Sequence, residues 1–295
     1  MRIPLTYLTV VLLWTTTPLA IKWSGEGPGF LFGVTARMSI GTACLLLALL
    51  FTRQPLAWHP KALLTYLAVA LQIYGCMLPV YWAAQFIPSG WISVMFGLTP
   101  LITALLAAIF LGERSLTPSK LLSYSLGIGG LVVMFGSALQ LGHSAVLGIG
   151  AVLFSAGLQA VCSVLIKCVG AKIPARDQVT GGLLIALPAY LVTWGLIDGQ
   201  WPTLWTPTSL AAIIYLGVIA TTIGFIFYFY LLTHLSATRV ALISLITPLL
   251  GLLLGHVINH EMLSLKVVTG SGLIVLALIM HEFFERLPTF KFKLK

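Results

Sequence analysis

Hydrophobic residues along this chain arrive in long blocks, broken by short polar stretches rich in Gly, Pro, Ser, Thr and basic residues. The blocks match the ~20 residues that a helix needs to cross ~30 Å of hydrocarbon. In that medium every backbone polar group must be satisfied inside its own segment, so each block is read as an α-helix. The pattern predicts helices over 4–22, 29–52, 62–85, 88–111, 118–139, 145–168, 178–197, 208–232, 236–259 and 265–285. The expected fold is all-α and polytopic, with ten transmembrane helices. Arg2 ahead of an apolar run looks like the start of a signal peptide. No small-residue cleavage site follows, so the block reads as an uncleaved first helix.

Composition supports this and removes other classes. Hydrophobic residues make up 59% of the chain and charged residues 8%, whereas a soluble domain is roughly a quarter charged. A net charge of +9 could suggest nucleic acid, but its distribution points to a membrane. With the N-terminus in the cytoplasm, Arg2, Arg53, Lys61, Arg114, Lys120, Lys167, Lys172, Arg176, Arg239, Arg286, Lys291, Lys293 and Lys295 all fall inside. Only Lys22 and Lys266 fall outside, and Arg37 lies within a span. Such a positive-inside bias predicts both termini in the cytoplasm, and a cell's inner membrane is expected, since the sequence holds no glycosylation acceptor triplet. The expected partners are membrane lipids, met by the basic tail, and a small-molecule substrate, with no nucleic acid; the chain is expected as a monomer or homodimer.

The chain also repeats itself. A shift of 148 residues places Thr99 on Thr247, Pro100 on Pro248, Leu105 and Leu106 on Leu253 and Leu254, and Glu113 on Glu261. Ile21-Lys22 resembles Ile166-Lys167 more weakly, with Trp14 falling on Gln159. The predicted units are 1–140 and 141–286, each a five-helix repeat, followed by a basic tail over 287–295. An odd number of spans per unit inverts the second in the membrane, as in secondary transporters whose halves rock about a central site. Small residues mark packing faces: Ser93, Gly97, Pro100, Ala104 and Ala107 in the fourth span, and Ala241, Ser244, Pro248, Gly251 and Gly255 in the ninth. Gly127, Gly129 and Gly130 in the fifth span and Gly270 and Gly272 in the tenth do the same.

On these residues the chain resembles the drug/metabolite transporter superfamily, in particular its members with paired EamA-type domains. The proline-containing fourth and ninth spans carry the resemblance, with Trp14, Arg37 and the Gly-rich fifth span, over nearly the whole chain. The resemblance implies export or import of amino acids, nucleosides, sugars, cations or drugs. It also implies a central cavity lined mainly by the first, third, fourth, sixth, eighth and ninth spans. The sequence departs from the family at His260, where a glycine is expected before the glutamate.

Arg37 is the ionisable side chain placed clearly inside an apolar run. Such a charge costs at least ~2.5–3.5 kcal/mol there. It could snorkel to the surface or bond backbone carbonyls, or it could pair with an anionic substrate group. Glu113 and Glu261 follow helix C-termini, where a negative charge is unfavourable; they are expected to accept from the N-terminal backbone of the following helix, or to gate. A polar face in the third span (Gln72, Cys76, Pro79), another in the sixth (Gln159, Ser163), and Thr221, Thr222 and Tyr228 beside the aromatic run of the eighth suit a cavity wall. The candidate substrate-binding residues are Trp14, Arg37, Gln72, Cys76, Tyr81, Thr99, Gln159, Ser163, Tyr228, Ser244 and Thr247. The candidate hinges and conformational residues are Pro100, Pro248, Glu113 and Glu261.

His256 and His260 are four apart beside Glu261, a spacing that can hold a metal, but no third ligand is suggested and no metal or cofactor is expected. Cys44, Cys76, Cys162 and Cys168 are read as packing thiols, and Trp23, Trp58, Trp201 and Trp205 as interfacial anchors. No phosphate-binding loop and no His-Glu-x-x-His run is present. The sequence thus predicts no enzyme but a secondary transporter, an exporter of a small organic metabolite, working by alternating access. The alternative is a membrane-embedded lipid-modifying enzyme or a non-transporting scaffold.

Overall fold

Long apolar blocks leave the backbone one way to satisfy itself, and the computed structural model is accordingly helical. It describes residues 2–53, 55–110, 118–241 and 243–286, and among these there is no strand. The order is α1 (Ile3–Gly25), α2 (Phe30–Thr52), α3 (Pro60–Ala83), α4 (Ser89–Phe96), α5 (Thr99–Phe110), α6 (Pro118–Leu141), α7 (His143–Val169), α8 (Ala175–Ile197), α9 (Pro207–Ile214), a π-helical stretch (Tyr215–Gly224), α10 (Phe225–His234), α11 (Ala237–Ala241), α12 (Ile243–Asn259) and α13 (Leu265–Arg286). Among the described residues, seven helical segments are long and apolar enough to cross a membrane, and 121–134, 246–259 and 265–281 form shorter apolar ones. Leu5, Leu8 and Leu12 on α1 and Leu50 and Phe51 on α2 are more than half exposed. Rows of apolar side chains like these suit a lipid solvent, and the chain is a multi-pass membrane protein. Glu113 and the basic tail after Arg286 lie outside the described residues.

Proline and hydroxyl residues start several helices. Pro60 opens α3, where His59 Nδ1 accepts from Ala62 N–H at 3.2 Å. Thr206 and Ser209 cap α9 reciprocally at 3.0 and 3.2 Å, with Pro207 between them. Ser264 accepts from Val267 N–H at 3.3 Å at the start of α13.

Glycine decides the close approaches. Gly130 on α6 and Gly270 on α13 face each other: a Cβ on Gly130 would stand 2.5 Å from Gly270 O, and one on Gly270 2.7 Å from Gly130 O. Their neighbours Gly129 and Gly272 border open space instead. Likewise, α4 lies on α12, with Gly90 against Leu252 and Gly97 against Pro248. The fourth and ninth predicted spans, which the repeat makes equivalent, thus touch through the small residues of α4.

The two proline bends are not alike. The fourth predicted span breaks between α4 and α5: Gly97 N–H is shared between Val94 O at 3.0 Å and Ser93 O at 3.2 Å, and Leu98 N–H tightens to Met95 O at 3.0 Å. Pro100 then sits in the first turn of α5, where its missing N–H removes nothing. Pro248, by contrast, lies inside a continuous α12. Of the two candidate hinge prolines, Pro100 thus follows a break in its span, whereas Pro248 stands within a helix.

Candidate functional site

The helices converge on a cavity of about 70 Å³. Its wall draws on α1 through Trp14, Thr17 and Pro18, on α2 through Arg37, and on α3 through Gln72 and Met77. Ser93 and Phe96 of α4, Gln159 of α7, Phe225, Tyr228 and Phe229 of α10, and Thr247 of α12 complete it. These are the spans that the family resemblance implies, with the second span added by Arg37.

Arg37 does not snorkel. It is 1% exposed and turned into the bundle, where Nε donates to Thr221 Oγ1 at 2.9 Å. Among the described residues Nη1 meets only the Met77 sulfur, at 4.0 Å, and the guanidinium carbon stands 5.9 Å from the Phe225 ring centroid. Backbone geometry creates this pairing. Gly41 of α2 and Gly217 of the π stretch let the two segments touch: a Cβ on Gly41 would lie 2.5 Å from Thr221 Cγ2, and one on Gly217 2.7 Å from Ile40 Cβ. Thr222 Oγ1 donates to Gly217 O at 3.1 Å, five residues back, the reach of a π turn, which is one residue wider than an α turn. The widened turn carries Thr221 to the guanidinium.

Beside Arg37 runs an oriented chain of hydrogen bonds. Ser163 Oγ donates to Gln159 O at 2.7 Å, so its single proton is committed. Tyr228 O–H must then be the donor in its 2.7 Å contact with Ser163. Gln72 Nε2 in turn donates to Tyr228 at 3.3 Å. That leaves Gln72 Oε1 buried with no partner among the described residues, and Ser93 Oγ is in the same position. Both residues line the cavity. Trp14 lies against Tyr228, ring centroids 4.9 Å apart, so the polar chain is backed by aromatic surface.

Of the eleven candidate substrate-binding residues, the cavity brings together Trp14, Arg37, Gln72, Gln159, Tyr228 and Thr247. Ser163 supports Tyr228 from behind, and Cys76 is fully buried away from the cavity. Thr99 is buried at the start of α5, off the wall. Tyr81 lines a second cavity of about 170 Å³ with Lys22, Glu26, Phe30 and Gln85. The two cavities share Ile21. The Ser244 side chain lies outside the described residues. Sequence reading missed Thr17, Pro18, Met77 and Phe96; the Thr-Pro pair inside an apolar block was the available signal. It read Ser93 only as a packing residue.

At the end of the bundle that holds the second cavity, Glu261 ties three helices together. Its carboxylate accepts from Ser89 N–H at 2.8 Å and Gly90 N–H at 3.2 Å at the N-terminus of α4, and from Asn259 Nδ2 at 3.0 Å. Lys22 of α1 stands 3.7 Å away. This corrects the expectation of a bond to the following helix: the partner is α4, in the first half of the chain. Burial opposes the Glu261 charge, but the Ser89 and Gly90 N–H groups and Asn259 outweigh it and hold the carboxyl below its ordinary value of 4.5. Trp23 is no simple interfacial anchor, since its indole donates to Asn259 Oδ1 at 3.0 Å. His260 takes a left-handed φ of 53°, the conformation that the family's glycine would adopt without strain. His256 Nδ1 donates to Glu261 O at 2.9 Å.

A family model described as the EamA-like transporter family matches the chain twice, over residues 1–136 and 146–281. The chain belongs to the EamA-like transporter family. Its relatives carry transporter names rather than enzyme names. It is 25% identical to the uncharacterized transporter YoaV of Bacillus subtilis, over 96% of this chain and 97% of that one. It is 27% identical to a probable terminal-alkyne amino-acid exporter of Streptantibioticus cattleyicolor, over 82% and 80% of the two chains. A solved crystal structure aligns with a TM-score of 0.70 at 23% identity, covering 96% of the EamA-like chain and 98% of its own. The fold is therefore shared with an experimentally determined protein.

Proposed function

We infer that this chain is a secondary transporter that exports a small organic metabolite, such as an amino acid, a nucleoside or a drug-like compound, by alternating access around the cavity. The supporting observation is that one cavity is walled jointly by α1–α4, within the first family-matched segment, and by α7, α10 and α12, within the second. A site between two similar halves is what a rocking carrier needs, since each half can move as a body while the site stays between them. In this reading the halves are inverted five-helix repeats making ten spans, both termini are cytoplasmic, and the membrane is the inner one. The export direction is carried over from the exporter among the relatives.

The break at Gly97–Leu98 and the Glu261 fastening of α4 give this reading its moving part. Helix α4 is jointed to α5 at Gly97–Leu98 and held at its far end by Glu261, so release of that fastening would let α4 turn about the joint while α5 stays packed. The test is reconstitution of the purified protein in proteoliposomes with a panel of labelled amino acids, nucleosides, organic acids and organic cations. Saturable flux of at least one class, stimulated by unlabelled substrate on the far side, is the expected result. Purified, folded protein giving no saturable flux for any class overturns the reading.

A further inference from the structure

Arg37 is a buried cation that no carboxylate among the described residues neutralises. The acidic residues with described side chains are Glu26, Asp177, Asp198 and Glu261, and none lines the Arg37 cavity. Glu261 is held by Lys22 and α4, Asp177 by Arg176 at 2.8 Å, Asp198 is exposed, and Glu26 borders the second cavity. A guanidinium has five N–H donors in a planar fork. Among the described residues one of them has an oxygen acceptor, Thr221, and another has only a thioether sulfur. Thr221 fixes the side chain through Nε, which leaves the outer edge of the fork, the edge that matches a carboxylate, free of any oxygen partner.

The rest of the wall narrows the ligand further. Trp14, Phe225, Tyr228 and Phe229 supply aromatic surface, suited to an apolar or aromatic body. One positive charge is balanced by one negative charge; a dianion such as a phosphate monoester would leave excess charge in a weakly polar space. An organic cation would meet Arg37 as a like charge, with no carboxylate among the described residues to offset it. Gln72 Oε1 and Ser93 Oγ, buried and unpaired, offer neutral polar contacts for a second substituent.

Building on the transporter reading above, we propose that the cavity is a binding site for an organic monocarboxylate with an apolar or aromatic body, its carboxylate held by the Arg37 fork and its body by the aromatic wall. Arg37 is the specificity-determining residue of this site. Thr221 is a positioning residue that acts through it.

The experiment is equilibrium binding to the purified full-length protein in detergent, by isothermal titration calorimetry, using phenylacetate, its neutral amide phenylacetamide, the cation phenethylamine and the zwitterion phenylalanine. Phenylacetate is expected to bind about tenfold or more tightly than each of the other three. In Arg37→Gln that preference over the amide should vanish, and in Arg37→Lys it should be partly kept. Equal binding of acid and amide by the wild type overturns the proposal, as does tighter binding of the amine or of phenylalanine. An Arg37→Gln protein that folds and keeps the preference overturns it too. If that variant does not fold, the wild-type ranking and Arg37→Lys decide. Failure here is separable from failure of the transporter reading: saturable flux of cations or nucleosides with no acid preference sinks the site and keeps the transporter, whereas acid-selective binding without flux does the reverse.

Discussion

Gly97 and Pro248 lie face to face across the α4–α12 contact, with a Cβ on Gly97 set to stand 3.0 Å from Pro248 Cγ. The contact joins the joint of the broken span to the proline of its repeat equivalent. It also limits what each position can carry. Gly97→Ala would press on Pro248 and on Val94 O, 2.7 Å from the new carbon. The variant should lose about 1–3 kcal/mol of stability, as overpacked sites do. Adding Pro248→Ala should return part of the loss, because the ring is one of the two obstacles. Thermal unfolding of the three variants in detergent measures this, and strict additivity would show that the contact is not shared.

Glu261 should make stability depend on acidity. Its folded carboxyl titrates below the ordinary 4.5, so the charged form is favoured by folding. That contribution is fully present above the unfolded value and is lost as pH falls through the lower folded one. Melting temperature should therefore drop on acidification below about pH 4.5 in the wild type. The Glu261 share of that slope should be absent from Glu261→Gln. At neutral pH the variant should be about 1–3 kcal/mol less stable, with α4 left uncapped. Identical melting curves for the two proteins across the acid range would contradict the fastening.

Tyr228→Phe tests the oriented chain. Removing the hydroxyl leaves Gln72 Nε2 without its acceptor, while Ser163 keeps its bond to Gln159 O. The cost to stability should be about 1 kcal/mol, the size of one hydrogen bond. The effect on ligand affinity should be larger, because Gln72 is freed to turn into the cavity. Calorimetric binding and thermal unfolding on the same preparation separate the two effects.

The topology is open to a direct check. Single cysteines placed on a cysteine-free background should be labelled from outside in the 141–144 connection and from inside near Lys293. Outside labelling near Lys293 would reverse the assignment of both termini.

What the sequence made legible follows the range of the interaction that produces each feature. The apolar blocks are local, and so α1, α2, α3 and α7 stand within a few residues of their predicted bounds. The repeat is a matter of spacing, and it was readable from Thr99-Pro100 and Thr247-Pro248 alone. Arg37 could be picked out by its chemistry, but its partner could not, since Thr221 lies 184 residues away and reaches it only through a π turn. Nothing in the run from Tyr215 to Gly224 distinguishes that turn from an ordinary apolar helix. Glu261 was picked out in the same way, while its contact with Ser89, 172 residues away, depends on how α4 and α12 stack. Tyr81 and Thr99 were chosen for polarity, but which way a polar side chain faces in a membrane helix is set by its neighbours in space.

A charge buried at depth answers to voltage as well as to chemistry. Moving one elementary charge through the whole membrane potential is worth about 2.3 kcal/mol per 100 mV. In the proposed cycle the empty site carries the Arg37 charge alone, and the site holding a monocarboxylate is neutral. A cytoplasm-negative potential then pulls the empty carrier toward its inward-facing form and leaves the loaded step almost untouched. The cell's resting voltage would itself reset such an exporter after each delivery.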